Sequence, residues 1–167
     1  MRDHELADGA DGTVENRGRD PGASADANVG ASRLLLRAEQ LDEMVAHCIS
    51  CYPEEGCGLV TGDPASGAAS AVHPTRNTSA SAQVYSVDPS AYLRIDKEAE
   101  ERGEAVIGVF HSHTHTDPYP SATDVRQAPD PTGHYVLVSL RHEVASVRSY
   151  RIAGGEAYEE SIEVLRG

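Results

Sequence analysis

The side chains most able to do chemistry lie in one stretch, His111-Ser112-His113-Thr114-His115-Thr116-Asp117-Pro118-Tyr119-Pro120-Ser121-Ala122-Thr123-Asp124. At the end of a strand, residues i and i+2 point to the same side, so His111 and His113 can present two imidazoles to one point. Asp124 follows Pro120 by four residues and falls in the first turn of an expected short helix. A loop of this length can fold back and set the Asp124 carboxylate beside the two rings. Two His and one carboxylate with an open fourth position form the donor set of a catalytic zinc site. Zinc in such a site lowers the pKa of a bound water to about 7, and the chemistry then needs a general base. Glu55 is the candidate, because it precedes the buried run 57–60, which is expected to pair near 106–110. Its neighbour Glu54 is the alternative. Each feature alone has a plainer reading. A single strand-end His is ordinarily a hydrogen-bonded structural residue, and Ser121-x-x-Asp124 is also a capping box. The combination argues for a metal site.

Positioning these residues requires the rest of the chain. Leu34-Leu35-Leu36 predicts a strand, and residues 38–50 predict a helix with Leu41, Met44, Val45, Cys48 and Ile49 at helical spacing, ended by Tyr52-Pro53. Residues 57–62 read as a buried strand closed by a Gly-Asp-Pro turn, with 68–74 as its hairpin partner. Asp88 can cap a second helix that starts with Pro89, carries Tyr92, Leu93 and Ile95, and ends near Gly103. Residues 105–110 are the most apolar run and predict a central strand delivering His111 and His113 at its end. A short helix is expected over 121–128. Strands follow over 134–140, 145–152 and 156–164, with Gly154-Gly155 as a hairpin turn. The expected fold class is α/β: one domain, a mixed β-sheet with flanking helices.

His111-x-His113, seven residues, Ser121-x-x-Asp124, with an upstream Glu55-x-Cys57-Gly58, resembles the motif set of the JAMM (MPN+) metallopeptidase family. Tyr85-Ser86-Val87-Asp88-Pro89 and His134-Tyr135-Val136-Leu137-Val138-Ser139 resemble the family too, and the likeness covers about residues 33–165. It implies an MPN/JAB domain of cytidine-deaminase-like architecture over residues 32–167, with one Zn2+ per chain held by His111, His113 and Asp124. It further implies that Glu55 holds and deprotonates the zinc-bound water and that Ser121 stabilises the oxyanion. Within the family the chain is most similar to small bacterial peptidases acting on a ubiquitin-like sulfur-carrier protein. That likeness implies cleavage of a C-terminal carrier–cysteine bond, a partner with a Gly-Gly tail, and association with a cysteine synthase of the same pathway. An isopeptidase that removes another ubiquitin-like modifier from lysine is the alternative, and a non-catalytic MPN scaffold is a third reading. His115 departs from the family pattern and is expected in the loop at the rim of the site.

Composition narrows the remaining classes. The chain has 167 residues, 39% hydrophobic and 25% charged, and a net charge of −13. That charge argues against nucleic acid, whose phosphates need clustered Lys and Arg, and against an anionic membrane surface. No apolar run approaches the roughly 20 residues of a membrane span. Residues 1–31 hold seven acidic residues, three basic residues and five glycines, with few large apolar side chains. They predict a disordered acidic N-terminal extension. No apolar signal segment is visible, so the expected location is cytoplasmic. Three cysteines within ten residues, Cys48, Cys51 and Cys57, are an odd cluster and read as reduced thiols. Cys48-x-x-Cys51 has no second Cys pair and no thioredoxin-like context, so a structural reading is favoured over a redox one. His47, His73, His134 and His142 lack ligand spacing.

Overall fold

The computed structural model describes residues 33–166. The disordered extension expected over 1–31 lies outside the described residues. The elements run β1 (Arg33–Arg37), α1 (Ala38–Cys51), β2 (Cys57–Asp63), β3 (Ala68–Thr75), α2 (Pro89–Glu100), β4 (Ala105–His113), α3 (Ala122–Gln127), β5 (His134–Ser139), β6 (Ser146–Ala153) and β7 (Glu156–Leu165). Local signals account for most boundaries. Asp88 caps α2 by accepting from the Ser90 and Ala91 N–H groups, and Pro89 occupies the first turn, where its missing N–H costs nothing. Gly154 and Gly155 both take positive φ at the β6–β7 turn.

The sheet is mixed, as expected, with β4–β5, β1–β7 and β1–β3 parallel and the other neighbours antiparallel. It also closes on itself in the order β1-β3-β2-β4-β5-β6-β7, a closure with no local signal in the sequence. The closing strand is β1. It pairs with β7 along its whole length and meets β3 at Leu35 and Ala68.

Two apolar clusters hold α1 and α3 to the sheet. Met44 and Cys48, one turn apart on α1, pack with Leu34, Leu36, Val60, Phe110, Val136 and Val138. Gly58 lets β2 pass under Phe110, since a Cβ there would sit 2.3 Å from the Phe110 ring. Tyr135, Leu137, Tyr150 and Ile152 form the second cluster, and Val125 and Ala128 pack against it, fixing α3 and its surroundings. Among the described residues no helix is long and apolar enough to cross a membrane.

Candidate metal centre

β4 lies in the middle of the sheet order and runs on through His113, three residues past its apolar stretch. The extension exists because pairing with β5 continues: His111 with Leu137, Ser112 with Val138, and His113 with Ser139. The next loop is tied back by its own carbonyls. Ser139 Oγ donates to the Thr116 carbonyl at 2.5 Å, and the buried Tyr150 hydroxyl donates to the Pro118 carbonyl at 2.6 Å. These bonds turn the chain so that α3 begins beside the end of β4.

Three ligand-type atoms then converge. His111 and His113, 1% and 6% exposed, bring their Nε2 atoms to 3.2 Å. Asp124 Oδ1 lies 3.3 Å from His111 Nε2, and Oδ2 lies 3.3 Å from His113 Nε2. A tetrahedral ion with bonds of about 2.0 Å has ligand–ligand edges of about 3.3 Å, so the spacing of the two imidazoles, and of each imidazole from one carboxylate oxygen, matches that of zinc ligands. The chemistry of the group fits as well. His113 Nδ1 lies 3.2 Å from the Asp117 carbonyl, a bond that places the proton on Nδ1 and leaves the Nε2 lone pair facing the centre.

Charges follow from this packing. Burial is the main influence on His111 and lowers its pKa, favouring the neutral ring. On His113 desolvation is the largest single influence and acts downward. The Asp124 and Asp117 hydrogen bonds, with the Asp124 and Glu55 charges, outweigh it and raise the pKa. Burial also opposes ionisation of Asp124, but bonds to both imidazoles and to Ser121 hold its carboxyl well below the usual range.

Glu55 is brought to the same place by β2. Cys57 pairs opposite His111. Just before the strand, the Gly56 N–H donates to Ser112 Oγ at 2.8 Å and the Ser112 N–H donates to the Gly56 carbonyl at 2.9 Å. Glu55 is 4% exposed, and burial pushes its pKa up to about 7; the Asp124 charge adds to this and His113 opposes it. Glu54 faces solvent. Glu55, His113, Thr114, His115 and Ser121 share a cavity of about 400 Å³. His115 is exposed there, its Nδ1 2.7 Å from Thr114 Oγ1.

Ser121 is the N-cap of α3. Its Oγ accepts from the Asp124 N–H at 3.1 Å, and its N–H donates to Asp124 Oδ2 at 2.6 Å, so the capping box is present and orients the carboxylate. Oγ acts as acceptor in that bond, while its own proton can turn to the Asp124 carboxylate, whose pKa the Ser121 side chain helps to lower. The three cysteines are free thiols. Burial pushes Cys48 up to about 12, away from the reactive thiolate form. His134 belongs to a buried structural group, with Nδ1 2.6 Å from Glu160 and Nε2 3.2 Å from Arg151.

Asn77 had no distinguishing sequence signal, because a polar loop hides its role. It is 7% exposed and donates to the Glu55 carbonyl at 3.0 Å, so it helps hold the segment bearing that carboxylate.

Among the described residues, seven strands in this mixed order, three helices, and a His-His-Asp group where the middle strand meets α3 define a domain of the JAB/MPN type. The chain belongs to the JAB family: the family model described as prokaryotic homologs of the JAB domain matches residues 37–153. A relative named CysO-cysteine peptidase from Mycobacterium tuberculosis is 38% identical over 136 residues, covering 79% of this chain and 91% of that protein. A relative named desampylase from Haloferax volcanii is 35% identical over 114 residues, 65% of this chain and 82% of that protein. Among solved structures, protein DSY2949 from Desulfitobacterium hafniense is similar with a TM-score of 0.73 and 32% identity, over 80% of this chain and 94% of that one. AF2198, a JAB1/MPN domain protein from Archaeoglobus fulgidus, shares the fold with a TM-score of 0.50 and 19% identity, over 80% and 99%.

Proposed function

We propose that this protein is a zinc-dependent peptidase. Its substrate would be a ubiquitin-like sulfur-carrier protein bearing a C-terminal cysteine, and it would cleave the last peptide bond to release cysteine. The observation that carries the metal chemistry is the convergence of His111, His113 and Asp124, with the two Nε2 atoms 3.2 Å apart and each 3.3 Å from one Asp124 oxygen. The substrate class is supported by the relative named CysO-cysteine peptidase. When bound, zinc supplies a Lewis acid that polarises the scissile carbonyl and acidifies water. The three ligands hold the ion. Glu55 takes the proton of the attacking water and returns it to the departing amine. Ser121 turns its hydroxyl proton to the oxygen that becomes an oxyanion. The catalytic domain would be residues 32–167, outside the 1–31 extension. The carrier would present a Gly-Gly tail, and the location would be cytoplasmic, alongside a cysteine synthase. The relative named desampylase favours a second reading, in which a lysine-linked ubiquitin-like modifier is removed. A scaffold role is disfavoured because all three ligands and Glu55 are retained.

Mass spectrometry separates the readings. Incubating a carrier–cysteine adduct with the protein should remove one cysteine residue from the adduct. Cleavage of a lysine-linked conjugate with the adduct left intact would establish the second reading instead, and no reaction with either would favour the scaffold.

The Ser121 assignment has its own test. Ser121→Ala should lower turnover by roughly 10²–10³-fold with little change in zinc affinity, because the hydroxyl is a donor and not a ligand. If Ser121 only caps α3, the variant loses about 0.5–2 kcal/mol of stability and loosens Asp124 and the metal. Measuring turnover of the fully zinc-loaded variant against its zinc affinity decides between them.

A further inference from the structure

The two histidines of the centre are held differently. His113 has a hydrogen-bond partner for Nδ1 in the Asp117 carbonyl, with Thr116 Oγ1 3.1 Å away. His111 Nδ1 is buried and, among the described residues, has no hydrogen-bond partner. Histidines that ligate metals ordinarily donate their second N–H to a carbonyl or carboxylate, which fixes the ring plane. The χ2 torsion of an imidazole is otherwise broad and roughly two-fold. Tyr85 lies flat against His111, with ring centroids 4.1 Å apart and 19° between the planes.

We propose that Tyr85 is the positioning residue for His111, its stacked ring doing the orienting that a hydrogen bond does for His113. This rests on the reading of His111 as a metal ligand. Turning His111 about χ2 would drive the edge of the imidazole into the Tyr85 face, so the stack narrows the torsion and keeps Nε2 aimed at the centre. Coordination draws electron density from the imidazole, and a more positive ring is attracted more strongly to an aromatic face.

The backbone on either side of Tyr85 is anchored to hold that position. Asn77 Nδ2 donates to the Val84 carbonyl at 3.1 Å, and Asn77 Oδ1 accepts from the Ser86 N–H at 3.0 Å. Asn77 also bridges to Val87. The same Asn77 amide bonds the Glu55 carbonyl, so one buried side chain sets both the stacking ring and the segment of the carboxylate.

The test compares Tyr85→Phe, which keeps the flat ring, with Tyr85→Leu and Tyr85→Met, which fill volume without one. Zinc affinity is measured by competition with a chromophoric chelator. Coordination geometry is read from the visible spectrum of the Co2+-substituted protein, and thermal melts of the metal-free forms identify any variant that fails to fold. In the Leu and Met variants the zinc dissociation constant should rise about 10–100-fold and the cobalt bands should shift. The Phe variant should match wild type in both. Wild-type affinity and an unchanged cobalt spectrum in a folded Leu or Met variant would overturn the proposal, as would equal losses in the Phe variant, which would assign the effect to the hydroxyl. Failure of both flexible variants to fold while Phe folds and binds normally would also overturn it, by making Tyr85 a core residue only. A wild-type protein that binds neither metal overturns the metal reading itself, and this proposal with it.

Discussion

His113→Ala is expected to strip the protein of stoichiometric zinc and to take turnover of a carrier–cysteine adduct below detection. Wild type should carry about one zinc per chain. The variant keeps only His111 and Asp124, 3.3 Å apart, where zinc with an open catalytic position needs three protein ligands. The loss is compounded at Asp124. His113 supplies one of the two imidazole bonds that hold this carboxylate ionised in a buried place, and its removal raises the Asp124 pKa towards the ordinary range. A carboxylate that protonates more easily is a poorer ligand. His115→Ala is the matched control. Its ring lies outside the His-His-Asp group, on an exposed part of the loop, so that variant should keep its metal. Elemental analysis of the purified proteins by mass spectrometry reads the result. Fully active wild-type protein without bound metal would defeat the assignment, as would a His113→Ala protein that retains one zinc.

What was legible in the sequence was local. Asp88-Pro89 marks the start of α2 because cap and helix sit side by side in the chain, and Gly154-Gly155 marks the β6–β7 turn for the same reason. The spacing of His111, His113 and Asp124 singled out three residues that the fold does bring together, since a strand alternates with period two and a capping box fixes its own carboxylate. What escaped was non-local. Closure of the sheet depends on Arg33 pairing with Ser161, and no residue near either end signals it. The last residues of β4 are polar, and their pairing with β5, with β2 at His111 and with Gly56 at Ser112, keeps them in strand geometry. Asn77 and Tyr85 act through groups distant in sequence, Glu55 and His111, so neither carries a pattern that composition or periodicity can detect.

Glu55→Gln should leave fold and zinc content intact and lower turnover by roughly 10²–10⁴-fold, the usual contribution of a general base. Glutamine keeps the size and much of the hydrogen bonding of the side chain but cannot take a proton from water. The same loss in Glu54→Gln with Glu55→Gln unaffected would shift the assignment by one residue, against the burial of Glu55 and the exposure of Glu54. The pH dependence supplies a second readout. Burial, with a smaller contribution from the Asp124 charge, raises the Glu55 pKa to about 7. A base works only when ionised, so kcat/KM should fall on the acid side. A bound cation favours the carboxylate, which places the midpoint of that limb at or below about 7 in the zinc-loaded enzyme. The residual activity of Glu55→Gln should lack that limb. Stability moves in the opposite direction. Because the folded-state pKa is raised, Glu55 favours the fold while protonated, below the ordinary carboxylate range, and that contribution is lost as pH rises through about 7. Above that pH the metal-free wild type carries a buried, desolvated charge that glutamine removes. The metal-free Glu55→Gln protein should therefore be more stable there, by something on the order of 1–3 kcal/mol. Chemical denaturation of both metal-free proteins at pH 5 and pH 8 tests this: the gain should appear at pH 8 and shrink at pH 5. Equal stabilities at both values would mean that Glu55 is not held as a desolvated acid poised to accept a proton.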